Sequence, residues 1–451
     1  MKSRISFFDA ATWKKDITRF APLWVLYTVL MLITVLPTVT DSSWYHPVRH
    51  LEGTLELLAF FNMLYAAIVA QLLFSELFNS RLCNALHAMP VTREARFGSH
   101  VCTGLAFSFV PNLLTALLMM PTLGKFWFTA ILWLSVVCLQ YVFFFGVGVL
   151  SVMCTGSRFA MVLVYGLINF LAPLVYWFIS VVFLPSMPGV VLNDDFLESF
   201  CPLSQFLGSS DYFRVSWDTP GIPVVVEAST FDGLGEDWGY LGIVAILGIA
   251  FLAVALFLYR RRRLESAGDF IAVKWLSPLF LSLYTLCGGA FLCIFGSAFG
   301  MLGYSILLIL GLLIGFFTGK MLLERTTRVF RKRNFLHAGI FAAVLLVALL
   351  AVKLDVFGIV HYVPEVEDVE YVTVNRSGAR QQDLYFTEEK QVVQEIHRLA
   401  VADDCDRTCG SLHQYILIEY HLRNGQTVTR SYNLCEGTPA AALLNQLPGK
   451  Y

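Results

Sequence analysis

Charge is what this 451-residue sequence has least of: 14% of it is Asp, Glu, Lys or Arg, against 57% hydrophobic residues and a mean hydropathy of +0.66. A chain so poor in charge cannot cover one water-soluble core, so the composition excludes an ordinary soluble domain and points to a polytopic membrane protein. Signatures of chemistry are missing as well. There is no GxxxxGK[ST] phosphate loop; the nearest approach, from Gly315 to Lys320, has the wrong spacing and runs into Met321. HExxH and GxSxG are absent, and no paired carboxylates fall inside an apolar stretch. The chain is therefore expected to be no enzyme, to hydrolyse no nucleotide and to hold no cofactor or metal of its own. Its formal net charge of -1 says little about partners, and none of them is expected to be nucleic acid.

What is present is a series of stretches free of charge, over residues 21–39, 57–74, 101–120, 126–154, 159–184, 239–259, 277–299, 301–319 and 335–352. Each approaches the roughly 20 residues needed to cross a bilayer, giving about nine transmembrane helices. Ionisable groups fall at the ends of these stretches, Glu56, Arg158 and Lys320 among them, and not at mid-depth. Carriers driven by protons or ions usually need such groups near the midplane, so the energy for any transport must come from elsewhere.

Basic residues set the expected orientation. Lys2, Arg4, Lys14, Lys15 and Arg19 precede the first stretch, Arg81, Arg93 and Arg96 lie between the second and third, and the runs 260–263 and 320–333 fall on the same side. The opposite connections carry only Arg49, Lys125 and Arg214. The N-terminus is then cytoplasmic and everything after Lys353 extracellular. The first stretch is too long for the core of a cleaved signal and is expected to remain. Before it, Trp13, Ile17 and Phe20 share a helical face, as in a helix lying in the inner headgroup layer; a plain cytosolic tail fits equally well.

Two outward regions follow. The loop 185–238 is acidic and proline-rich, with an apolar run over 196–206 able to dip into the interface. Residues 354–451 change composition abruptly and read as a small α+β extracellular domain beside a transmembrane domain of residues 1–353. Its expected elements are a strand over 369–374, a helix from Thr387, a hairpin turning at Asn424-Gly425 through a type I′ turn, and a closing helix from Thr438 and Pro439 through Leu447. The fold class is thus an all-α polytopic membrane protein with a small C-terminal α+β domain.

Of the outer cysteines, Cys405 and Cys409 are spaced to form a disulfide, with free thiols or a metal site including Cys435 and His413 as the other readings; the paired CxxC pattern of zinc sites is lacking. Gly296, Gly300, Gly311, Gly315 and Gly319 recur at helical spacing and let helices pack closely, within the chain or between subunits. Gln71, Asn112, Gln140 and Asn169 suit hydrogen bonds between helices or the lining of a substrate path.

The most informative stretch, residues 72–97, puts polar and helix-breaking residues between two apolar spans. Glu76, Ser80, Arg81, Asn84, His87, Met89, Pro90, Val91, Thr92, Arg93 and Phe97 resemble the inner-loop signature after the second helix in permeases of Gram-positive ABC transporters of the type 2 exporter class. The resemblance covers this loop, although the acidic outer loop and C-terminal outer domain also suit that family; Asn84 stands where an acidic residue is expected. It implies a bacterial cell-membrane permease that exports a hydrophobic or peptide-like substrate. A separate cytoplasmic ABC subunit would bind ATP and dock on the loop 75–99 through Glu76, Arg81, Asn84, His87, Pro90 and Arg93. A second permease copy or a sister permease would complete the channel within the lipid bilayer. The rival expectation is a membrane-anchored sensor or assembly factor whose outer domain binds a ligand.

Overall fold

The computed structural model describes residues 8–40, 47–82, 91–124, 127–192, 200–208, 212, 215–219, 222–225, 237–262, 267–376, 382–402, 413–435, 438–444 and 447. Among them, eight helices are long and apolar enough to cross a membrane, or nine if one bent pair is a single span. That is the architecture of a multi-pass membrane protein. The chain divides into two compact units, one of Met1–Pro173, Phe196–Phe280 and Leu322–Arg325, the other of Leu174–Asp195, Leu281–Met321 and Thr326–Tyr451.

The first unit runs through α1 (Ala10–Arg19), α2 (Ala21–Thr40), α3 (Pro47–Leu73), α4 (Arg93–Leu123), α5 (Trp127–Cys154) and α6 (Arg158–Asn169). Helix α7 (Leu171–Val182) leads out of it, and α8 (Pro202–Leu207), the hairpin β1 (Val215–Thr219) and β2 (Ile222–Val225), and α9 (Trp238–Arg261) return. Helix α5 is the axis: it is apolar all round and buried nearly all round, against α3, α4 and α9. Where α5 crosses α9 the backbones nearly touch, because a Cβ on Gly146 would lie 2.3 Å from the Gly248 carbonyl oxygen. On its other side the Phe145 ring fills the space a side chain at Gly104 would need. The fifth apolar stretch is bent by 69° between α6 and α7. Pro173 explains the break, since its ring cannot coexist with a helical carbonyl at Asn169.

The second unit holds most of α10 (Leu276–Cys293), then α11 (Gly300–Glu324) and α12 (Lys332–Lys353). Its sheet has the order β4-β3-β5-β6, from β3 (Val369–Arg376), β4 (Gln382–Leu384), β5 (His413–Leu422) and β6 (Thr427–Cys435), all antiparallel. Helices α13 (Thr387–Ala402) and α14 (Pro439–Leu444) cover one face, burying Val372, Val374, Ile416, Ile418, Tyr420 and Leu434. The glycine stripe meets α10: a Cβ on Gly311 would stand 2.5 Å from the Gly288 oxygen, one on Gly315 3.1 Å from the Thr285 oxygen, and one on Gly319 2.9 Å from the Tyr284 ring. Gly296 abuts the backbone of Tyr304, and Gly300 opens α11.

The sheet departs from expectation in two details. Strand β4 is too short to show in the sequence pattern. The hairpin is not closed by a type I′ turn, because Arg423 and Asn424 keep negative φ and only Gly425 is left-handed, at +81°. Gly425 N donates to Leu422 O at 2.9 Å, a type I turn followed by a glycine bulge that makes the same reversal with one more residue. Of the closing helix, Pro439–Leu444 is described and residues 445–446 lie outside the described residues. Contacts do not divide the chain at Lys353, and the sheet is bonded to the connections after α7 and after α12. Ser431 N donates to Gly189 O at 3.0 Å, and Arg430 Nη2 to Ile359 O at 2.9 Å. Cys435 is disulfide-bonded, whereas Cys405 and Cys409 lie outside the described residues.

Glycine at the α5–α9 crossing is required sterically, so Gly248→Ala should destabilise the protein by about 1–3 kcal/mol. Gly242→Ala, on the same helix with open space around it, should be neutral or stabilising by up to about 1 kcal/mol. Unfolding in mixed micelles compares the two.

His397 of α13 is buried between Tyr420 and Tyr432, its Nδ1 3.2 Å from the Tyr420 hydroxyl. Burial, helped by the nearby Arg430 charge, pushes its pKa down to about 4 from the ordinary 6.5. The unfolded chain takes up a proton that the folded domain resists, so this contribution is complete above pH 6.5 and is lost as the pH falls toward 4. The melting temperature of the protein should fall across that window, and His397→Phe should flatten the fall.

Candidate functional site

The signature segment begins where α3 ends. Phe74 leaves the helix and Ser75–Phe78 forms a 3-10 turn, with Leu77 N bonded to Phe74 O at 3.0 Å and Asn79 N to Glu76 O at 3.3 Å. The Asn79 side chain then accepts from Arg81 N at 3.0 Å and Leu82 N at 3.4 Å, capping the helical turn that starts at residue 80. On the far side Thr92 caps α4, its hydroxyl accepting from Ala95 N at 3.2 Å. Both flanks of the segment therefore have fixed geometry.

The tight turn points Glu76 into the protein, where it is 7% exposed. There it meets His100, which lies two turns into α4 and is 3% exposed. His100 Nδ1 is 2.6 Å from Asp16 Oδ2 of α1. Its Nε2 is 3.4 Å from Glu76 Oε1, close enough for attraction but not aligned as a hydrogen bond. Asp16 itself is 5% exposed. The imidazole thus joins three elements, α1, the 3-10 turn and α4, with the Phe74 ring set edge-on 5.1 Å away. The carboxylates face opposite nitrogens and do not converge on a point where an ion would sit; among the described residues no cluster of His, Cys, Asp and Glu is arranged to hold a metal.

Helix α1 is held along its length. Asp9 caps it by accepting from Thr12 N at 3.0 Å, and the Thr12 hydroxyl keeps the Asp9 carboxyl below its usual pKa. Asp9 N also donates to the Ser99 hydroxyl at 2.7 Å. Asp9 and Asp16 are two turns apart and so share the face that meets α4. Arg96, one turn before His100 and also buried, supplies positive charge to this side of α4.

A second set of contacts ties the same segment to α5 and α9. Arg262, just past α9, donates from Nη1 to Val152 O at 2.8 Å and Met153 O at 3.1 Å, and from Nη2 to Leu77 O at 3.3 Å. It satisfies carbonyls at the C-terminal end of α5, where a cation is also favoured by the helix dipole. Arg93 Nη1 donates to Arg262 O at 3.3 Å, and Arg260 Nε lies 2.9 Å from Glu94 Oε1.

The expected docking residues are thus not alike. Glu76 faces inward onto His100, Arg93 is engaged by Arg262, and Arg81 is exposed. Asn84, His87 and Pro90 lie outside the described residues. Sequence reasoning missed Asp16, His100 and Arg262. The Asp9/Asp16 spacing on an amphipathic helix and a histidine at the start of an apolar span were the available signals. No protein family, curated protein or solved structure matches the chain.

Asp16→Ala leaves His100 without its short contact and should lower stability by about 3 kcal/mol or more. It should also release α1, seen as faster tryptic cleavage after Lys14 and Lys15 in the folded protein.

Proposed function

We propose that the chain is the transmembrane subunit of an ATP-driven exporter, powered by a separate ATP-binding subunit that docks from the cytoplasm on the segment between α3 and α4. The observation that carries this is the anchoring of both flanks. Glu76 through His100, and Leu77 through Arg262, link the start of the segment to α1, α4, α5 and α9. A push on a segment held this way moves helix ends rather than bending a slack loop. The short resemblance to ABC type 2 exporter permeases and the lack of a phosphate loop in the chain agree with a motor supplied by another subunit. In this reading the segment and α1 are cytoplasmic, the sheet domain is extracellular, and the cargo is hydrophobic or peptide-like.

Among the described residues of the segment Arg81 is the exposed cation, and arginine suits recognition of carboxylates on a partner. Arg81→Glu should leave thermal stability within about 0.5 kcal/mol and cut recovery of the ATP-binding subunit in co-purification by tenfold or more. Undiminished recovery would remove Arg81 from the interface, and failure of any ATPase to co-purify with the unaltered chain would overturn the exporter reading.

A further inference from the structure

The connection between α11 and α12 puts four cations in the open. Arg328, Arg331, Lys332 and Arg333 are exposed, and among the described residues none of them is in an ion pair. They stand on a formed turn. Val329 is buried in a cluster with Phe316 and Phe317 of α11, and its carbonyl accepts from Arg331 N at 2.8 Å and from Asn334 Nδ2 at 2.7 Å. Arg331 then caps α12, its carbonyl accepting from Phe335 N at 3.2 Å. Apolar side chains stand among the charges: Phe330 is 60% exposed, Phe335 51% and Leu336 64%. Both rings rest on buried Phe317, at 5.0 Å for Phe330 and 4.7 Å for Phe335.

The partner must satisfy both kinds of surface. Only residues 325–331 separate α11 from α12, each long and apolar enough to cross a membrane, so a turn this short stays in the headgroup layer. There the rings reach the acyl boundary while the guanidinium groups meet phosphate, which arginine grips through two parallel hydrogen bonds. Free phosphate would leave the rings in water. Residues 326–337 contain no Asp or Glu to receive the choline or ammonium of a zwitterionic headgroup, and the four cations repel it. We propose that Arg328, Arg331, Lys332 and Arg333, with Phe330 and Phe335, form a binding site for a phospholipid whose headgroup carries net negative charge. The site is independent of the exporter reading, since it needs only that α11 and α12 cross the bilayer.

Thermal unfolding of the full chain in neutral detergent tests this, with phosphatidylglycerol, phosphatidylcholine of the same acyl chains, or inorganic phosphate titrated in. Phosphatidylglycerol should raise the melting temperature by several degrees, less so at high salt, and the other two should not. Arg328→Gln and Arg333→Gln, both at exposed side chains, should each weaken the apparent affinity about fivefold. The triple variant Arg328→Gln, Arg331→Gln and Arg333→Gln should lose the shift measured against its own lipid-free value. Lys14→Gln with Lys15→Gln, which neutralises exposed cations of α1, should keep it. An equal shift with phosphatidylcholine or with phosphate alone, a shift that survives in the triple variant, or one lost equally in the α1 variant each overturns the site. No preference for phosphatidylglycerol, with an ATP-binding subunit retained only while the three arginines are present, would give the patch to a protein partner and overturn the lipid assignment.

Discussion

Burying a hydrogen-bonding group in an apolar bundle is costly unless a partner meets it, and this constraint organises the protein. Its buried charges meet either an opposite charge or backbone carbonyls, as where Lys390 donates to Val369 O at 3.0 Å. At one end of the first unit His100 answers Asp16 and Glu76, and Arg262 answers carbonyls of α5 and of the 3-10 turn. The result is local rigidity at the place where the chain leaves α3. A continuous helix there would carry Glu76 elsewhere, and a longer flexible turn would not hold it against His100.

Most polar side chains within the helices are matched, as where Tyr27 donates to Asn62 Oδ1 at 2.9 Å and Trp133 Nε1 to Thr54 Oγ1 at 3.2 Å. These matched polar groups fix the bundle. Glycine does complementary work: at Gly146 with Gly248, and at Gly288 with Gly311, helices approach backbone to backbone without polar glue.

Much of this architecture was legible from composition. Long charge-free stretches give the helices because bilayer thickness fixes their length, and Thr387, Pro439 and Gly425 give the C-terminal sheet and its helices because caps and turns depend on local chemistry. What was not legible depends on distance in the chain. His100 is 84 residues from Asp16, and Arg262 is 185 from Leu77, so nothing local announces either contact. Glu76 looked like a surface residue because a 3-10 turn cannot be told from a helical one by periodicity, and the two aim its side chain differently. Gln71, Asn112, Gln140 and Asn169 stood out as polar residues in apolar spans, but the group each one meets is set by the fold, as where Gln71 meets Arg158 O, Asn112 meets Ser108 Oγ and Asn169 meets Tyr165 O.

The account depends on which side of the membrane the anchored segment faces, since a cytoplasmic motor cannot reach it from outside. Single cysteines placed by Arg81→Cys and by Tyr415→Cys, in a chain otherwise free of reactive exposed thiols, report this directly through a membrane-impermeant maleimide. On intact cells the cysteine at position 415 should label at once and the one at position 81 only after permeabilisation. Labelling of position 81 on intact cells, with position 415 protected, would contradict the account.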